Sequence, residues 1–443
     1  MPTFLGRLAL VASLAIGLCT VVSAAATLPA TANVDLHESY TLLMTTYYSK
    51  VAPQTLLDGA RAALNAQLRK HGAKSQLPAM RAGSDSEQNL NQIDHAILAA
   101  GSETHESIVA LTYAAIEGMA TSVHDRWTTF FTPKEYAAFN EALDPKDISG
   151  IGVLIQPGGK GKYISAFYVV PRTPADRAGI KSGDVFLSVD GKSTEGMKSE
   201  QAVSLLRGAP HTVVHLQVER DGKPLPGPIA ITRSEVQPPT VIYKMLPQSI
   251  GYIYILAFGK DTPAEFDVAL NRLQDAGARA YVLDLRNDGG GYVNSALDIS
   301  AKFIQTAPIV TIEERGAHAT TINADNEAIP PKPMTILVNA YTASASEITA
   351  GALQDDGVAS LVGEKTFGKG VMQTLTPLPD GSAIKITTAH YLTPNHKDIN
   401  LKGIEPNVVV AENKDARFGE IRYDAQLQAA VALLEKKIAD SKS

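Results

Sequence analysis

Cysteine is all but missing from these 443 residues, Cys19 being the only one. It falls in an apolar stretch near the N-terminus. The rest of the chain therefore has no disulfide, no thiolate metal site and no cysteine nucleophile. Excess charge of either sign is missing too. Lys plus Arg number 40 and Asp plus Glu 46, a formal net charge of −6, with no run of like charges. That balance gives no support to a nucleic-acid-binding surface. His124, His211, His215, His318, His390 and His396 show no metal spacing and no obvious Ser-His-Asp set, so neither a metal nor another cofactor is expected. The glycines lack the order of a dinucleotide fingerprint or a P-loop. No internal repeat is visible, and past the N-terminus no stretch approaches membrane-span length.

After Arg7, the residues Leu8–Val22 are almost entirely apolar, and Ser23–Ala26 are small. A short basic start, an apolar middle and a small-residue exit read as a secretory signal peptide over 1–26. Export to a periplasmic or other extracytoplasmic compartment is expected, with an uncleaved segment as the membrane-anchored alternative. Leu18, ahead of Cys19, argues against a lipid-modified cysteine.

Three textures follow. Residues 33–145 are patterned as helix: Tyr40, Leu43, Tyr47 and Tyr48 share one face, and Leu56, Leu57, Ala60, Leu64 and Leu68 recur at helical spacing. Residues 150–235 change to short strands with hairpin signals at Asp190-Gly191 and Asp221-Gly222, one compact α+β unit. Over 240–443 strands alternate with helices, which predicts a layered α/β core. Val371 to Tyr391, with Asp380-Gly381 at its centre, reads as a β-hairpin.

Three segments of this core carry reactive chemistry. Ser344 follows the strand Thr335–Asn339 at the first turn of a helix, where free N–H groups and the helix dipole favour a developing oxyanion. As a plain structural residue it would cap that helix, with Glu347 completing a capping box. The segment Asp284–Gly291 ends a strand in three glycines, which let backbone N–H groups approach a reacting carbonyl closely. Lys369 lies between Gly368 and Gly370, and a lysine in apolar surroundings can serve as a base. Strand alternation places Gln373 on the same side as Lys369, within reach of the amine. A serine needs such a base to become a nucleophile.

Together these strings resemble the C-terminal processing peptidases, also called tail-specific proteases. The resemblance runs through Asp284–Gly291, Ser344–Glu347, Ala350–Asp355 and Gly363–Gln373, and on into Lys385–Pro394 and Lys402–Asn407. Upstream it takes in Ala115–Met119. It implies a multidomain α/β and α+β protein with a helical N-terminal region, a PDZ domain and a ClpP/crotonase-like α/β catalytic core. It also implies a serine endopeptidase with Ser344 as nucleophile, Lys369 as general base and Gln373 orienting the lysine. The backbone N–H groups of Ala345 and Gly290 would form the oxyanion hole, with Glu347 in support. Asp288 departs from the family pattern, which often has a neutral residue there, and so does His124-Asp125-Arg126. Gly150, Ile151, Gly152 and Val153 match a PDZ carboxylate-binding loop, beside which a substrate tail would add as a strand against a helix bearing Ala202, Leu205 and Leu206. The implied partners are proteins with apolar C-terminal tails, with an adaptor protein and the oligomeric state left open. Two other readings remain: a tail-binding scaffold with a dead peptidase core, and a crotonase-like acyl-CoA enzyme.

Overall fold

The computed structural model describes residues 27–143, 148–157, 162–325, 328–412 and 418–440. The leader read at 1–26, Cys19 included, lies outside them. Among the described residues no helix is long and apolar enough to cross a membrane.

The helical region is built from α1 (Ala30–Thr45), α2 (Pro53–Lys70), α3 (Ser86–Thr104) and α4 (Ile108–Ser122). Pro53 opens α2, while Asp85 and Ser107 cap α3 and α4 by accepting from the N–H groups of Glu87 and Ala110. Leu36, Leu43, Leu56, Leu64, Ile97 and Ile116 form the shared core. Helices α2 and α4 cross at a glycine pair. A Cβ on Gly118 would come within 2.5 Å of the Gly59 carbonyl oxygen, so the crossing is closed to any larger residue. Helix α1 stops at Thr45, which leaves Tyr47 and Tyr48 beyond it, not on its face as the pattern suggested. The chain continues through β1 (Thr129–Phe131), α5 (Pro133–Leu143) and β2 (Ile148–Gly150).

The next unit comprises β3 (Val153–Gln156), β4 (Ile164–Val169), α6 (Pro174–Arg177), β5 (Val185–Val189), β6 (Lys192–Ser193), α7 (Ser199–Leu206), β7 (Val213–Arg220), β8 (Lys223–Pro224) and β9 (Ile229–Thr232). Its antiparallel sheet runs β3-β4-β5-β7-β8, with β6 on β5 and β9 on β7. Both hairpin signals hold: Asp190-Gly191 and Asp221-Gly222 take the paired positive φ that two-residue turns require. Phe186, Val214, Leu216 and Val218 are buried beneath α7. β3 is an edge strand, and β10 (Ser234–Val236) returns to pair with β2 and close the unit.

The catalytic core contains β11 (Val241–Leu246), β12 (Ile250–Ile255), α8 (Thr262–Asp275), β13 (Ala280–Asp284), α9 (Val293–Ala301), β14 (Pro308–Glu314), β15 (Thr320–Asn323), β16 (Met334–Val338), α10 (Ala345–Asp355), β17 (Ala359–Gly363), β18 (Val371–Pro377), β19 (Ala383–Leu392), β20 (Val408–Val409) and α11 (Ala425–Asp440). One sheet runs β11-β12-β13-β16-β17-β20, parallel from β12 onward. Helices α8, α9 and α10 cover one face and α11 the other, so β12, β13 and β16 are buried at every position. A second sheet runs β1-β19-β14-β15, with β18 also on β19. Thr129 pairs with Lys385 and Phe131 with Ala383, while Leu378, Ile384 and Ile386 enter the helical region's core. The helical region is thereby stitched to the α/β core, a pairing that local pattern cannot reveal.

Candidate active site

Neighbouring parallel strands β13 and β16 deliver the loops Asp284–Gly291 and Asn339–Ser344 to one edge of the sheet, where open α/β sheets place their sites. The first loop is braced from below. Arg286 is buried, with its guanidinium on Asp284 at 2.5 Å and on Asp424 at 2.8 Å. Tyr252 donates to Asp284 at 2.6 Å and Tyr254 to the Arg286 carbonyl at 2.7 Å. The two loops are also tied to each other. Thr342 Oγ1 donates to the Leu285 carbonyl at 2.8 Å, Ala343 N–H to the Asp288 carbonyl at 3.0 Å, and Asn339 exchanges two 3.0 Å bonds with Asn287.

Ser344 is the N-cap of α10 with φ 58° and ψ −118°, a conformation that non-glycine residues seldom adopt. Gly290, at φ 92°, packs directly against it. A Cβ there would lie 2.7 Å from the Ala345 nitrogen and 2.8 Å from Ser344 Cβ. The Ala345 N–H, at the first helical position, has no intrahelical acceptor. Both backbones read from the sequence as oxyanion donors thus flank the serine. In this structure, however, the Gly290 N–H donates to Asp288 Oδ1 at 2.9 Å.

Glu347 joins the serine turn to the lysine turn. Fully buried, its carboxylate accepts from the N–H of Ser344 at 3.0 Å, the N–H of Lys369 at 2.8 Å, the N–H of Gly368 at 2.8 Å and Thr366 Oγ1 at 2.6 Å. Burial still pushes its carboxyl up, against those donors. Tyr391 makes a second tie, its hydroxyl 2.6 Å from the Lys369 carbonyl and 3.1 Å from that of Ser344. The flanking glycines let the lysine turn press on the loop behind it, for a Cβ on Gly370 would sit 2.6 Å from the Asn400 nitrogen.

The Lys369 amine lies 4.6 Å from the centre of the Trp127 ring. Burial pushes it down to about 8, helped by the nearby Lys385, while Asp125 and Glu347 pull the other way. The Trp127 face would itself favour the ammonium, by about 0.5–2 kcal/mol. Lys385 rests 5.2 Å from the ring centres of both Phe131 and Phe139. Trp127, Lys385 and Asp125 escaped sequence reasoning as site residues. The available signal was that the chain's one tryptophan lies in the aromatic string His124–Phe131.

Gln373 lies just past an irregularity in its strand. A bulge falls between Met372 and Gln373, and the Gln373 amide donates to the Val371 carbonyl at 3.3 Å. In the PDZ unit, Gly150, Ile151, Gly152 and Val153 line a groove of about 560 Å³. Gly152 has φ 82° and lies against Thr173. From α7 the groove takes Ser199, Val203 and Leu206, with Arg207 just past the helix end, whereas Ala202 is buried in the unit's own core. The expected helix face was therefore rotated, with Leu206 alone correctly placed. At its far end the same groove reaches Tyr254, Leu256 and Asn287, the last adjoining Asp288.

The fold and this arrangement define a serine peptidase with a PDZ domain ahead of its catalytic core. Residues 249–410 match the model of peptidase family S41, and residues 168–220 match a PDZ domain model. A carboxyl-terminal-processing protease of Synechocystis sp. is 36% identical over 334 residues, covering 74% of this chain and 78% of that protein. Carboxy-terminal processing protease CtpA of Bacillus subtilis is 36% identical over 301 residues, covering 67% of this chain and 63% of that protein. A solved structure described as an S41 protease from Bacteroides fragilis covers 90% of this chain and 97% of its own at TM-score 0.58 and 14% identity, a likeness of fold. The chain belongs to peptidase family S41, the carboxyl-terminal-processing proteases.

Proposed function

We propose that this chain is an exported serine endopeptidase that takes the C-terminal tail of a protein in its PDZ groove and cleaves with Ser344 as nucleophile and Lys369 as general base. The carrying observation is the shared anchor at Glu347: one buried carboxylate accepts from the backbone N–H groups of both residues. Lys369, desolvated and down to about 8, has a neutral fraction near physiological pH that an exposed lysine lacks.

A tail adds as a strand along the β3 edge, its carboxylate at Gly150–Val153 and its apolar side chains against Val203 and Leu206. Ser344 Oγ attacks the scissile carbonyl as its proton passes to Lys369 Nζ, and the oxygen's new charge is met by the N–H groups of Ala345 and Gly290. The C–N bond then breaks, the departing amine takes the proton from Lys369, and an acyl-enzyme remains. Water attacks this ester with Lys369 again as base, which releases the shortened substrate and restores Ser344. Gln373 keeps the orienting role implied by the resemblance, with Oε1 as the atom that accepts from the ammonium. Export rests on the leader at 1–26.

Ser344→Ala and Lys369→Ala should each abolish cleavage of an apolar-tailed protein, followed by mass spectrometry, while circular dichroism stays unchanged. Removing the substrate's last few residues should slow the wild-type enzyme. Cleavage by either variant sinks the chemistry, and equal rates on the two substrates sink tail recognition.

A further inference from the structure

Asp288 is left without a role by this chemistry, yet it touches the oxyanion side directly. It is fully buried, its Oδ1 accepts from the Gly290 N–H at 2.9 Å, and its Oδ2 has no hydrogen-bond partner among the described residues. The backbone fixes it in place, since its carbonyl accepts from Ala343 N–H at 3.0 Å and from the Ser346 hydroxyl at 3.1 Å. The carboxyl is thus held beside a glycine that packs on Ser344.

An ionised carboxylate at this point would oppose the reaction twice. It would grip the Gly290 N–H in a charge-assisted bond, and it would set a negative charge beside the oxygen where a second one develops. The neutral acid keeps the turn through a weaker bond that an oxyanion can displace. Its surroundings favour that acid: burial pushes the carboxyl up to about 8. Around it, Tyr254 on β12 is a phenol raised chiefly by its own burial, with Asp284 and Asp288 contributing. The Arg286 guanidinium is committed to Asp284 and Asp424. In α10, the Glu347 carboxylate is turned to the Ser344 and Lys369 turns.

We propose that Asp288 is a positioning residue for the oxyanion-binding N–H of Gly290, shaping the turn as the neutral acid and closing it when ionised. This rests on the Ser344 and Gly290 assignment above. Two protonation requirements then bracket activity, because Lys369 must have lost its proton and Asp288 must have kept its own. With both groups near 8, kcat/KM should be a narrow bell centred there.

The test is kcat/KM of wild type, Asp288→Asn and Asp288→Ser on one apolar-tailed peptide from about pH 6 to about pH 10, with circular dichroism across the range. If the ionised form is inactive, wild type falls about eightfold between pH 8 and 9.5, whereas Asp288→Asn rises about twofold. The change should sit in kcat and not in KM. A wild-type profile without the alkaline limb, or either variant retaining it while folded, overturns the proposal. Ser344→Ala run alongside separates the two readings. Cleavage by that variant removes the Ser344 assignment itself, whereas a dead Ser344→Ala with an unshifted Asp288→Asn profile removes only the role of Asp288.

Discussion

Glu347→Gln keeps the shape of the buried side chain and strips half of its accepting capacity. Oε1 takes Thr366 Oγ1 and the Gly368 N–H, while Oε2 takes the N–H groups of Ser344 and Lys369. In glutamine one of these atoms becomes an NH2 aimed at donors. A buried donor left without an acceptor costs about 1–3 kcal/mol, so an amide facing Ser344 and Lys369 costs about 2–6 kcal/mol. The opposite flip is milder, because the Thr366 hydroxyl can turn and accept. The Gly368 N–H is then orphaned, at about 1–3 kcal/mol, and the Thr366 hydroxyl, which also accepts from the Ile404 N–H at 2.7 Å, gives up its acceptor. That flip should prevail and set the loss of stability.

The same substitution has a second, opposite-signed signature. The Glu347 charge favours the Lys369 ammonium, so removing it should let the amine lose its proton more easily. The ascending limb of kcat/KM should move to lower pH even as the protein becomes less stable. Trp127, the chain's one tryptophan, sits on the Lys369 amine and gives a local fluorescence signal for urea unfolding. An unchanged unfolding midpoint would refute the four-donor anchor. An ascending limb displaced to higher pH would refute the electrostatic link to Lys369.

Lys385→Met should move that limb the other way, to higher pH, because a like charge that discourages the Lys369 ammonium is gone. Activity at pH 7 would fall while activity at pH 10 is spared, and a limb that stays put would count against the coupling. Gly290→Ala should lower kcat about a hundredfold or more, since the new Cβ would stand 2.7 Å from both the Ala343 oxygen and the Ala345 nitrogen. Retention of a tenth of the activity would show that this turn does not line the reacting oxygen. Asp288→Asn should be more stable than wild type at high pH. With the folded-state carboxyl at about 8 against an ordinary 3.8, the folded protein holds the proton longer, and wild-type stability is lost as pH climbs between those values. The gap in unfolding free energy, read from urea titrations, should be of order a few kcal/mol at pH 9 and close toward pH 4. A gap independent of pH would place the charged form of Asp288 at no disadvantage.

Much of this was written in local pattern. A small-residue helix start after a buried strand located Ser344, helical spacing put Glu347 beside it, and Gly-Lys-Gly marked a lysine pressed into a tight turn. The bulge just ahead of Gln373 is invisible to period-two alternation. The departures have separable causes. The α7 face was misread because apolar residues occupy both the groove side and the core side, leaving Val203 and Ala202 equivalent in sequence. Trp127 and Lys385 came together only through the pairing of β1 with β19, strands separated by most of the chain. A three-residue strand has too little periodicity to announce itself.

That pairing changes what counts as the catalytic unit. Glu347 and Tyr391 fix where the serine and lysine backbones stand, and both belong to the α/β core. The condition of the lysine is set elsewhere, because burial is the largest influence on its amine and Trp127 covers that amine from the segment following α4. The same segment pairs Thr129 with Lys385, and its Phe131 packs on Phe139 to form the surface on which the second ammonium rests. A core without the helical region would keep its nucleophile and oxyanion turn. It would lose the Trp127 ring from the Lys369 amine, and on the chemistry proposed above it should cleave more slowly at neutral pH. On the proposed mechanism, position would come from one part of the chain and basicity in part from another, so removing the helical region should lower activity at neutral pH and not only stability.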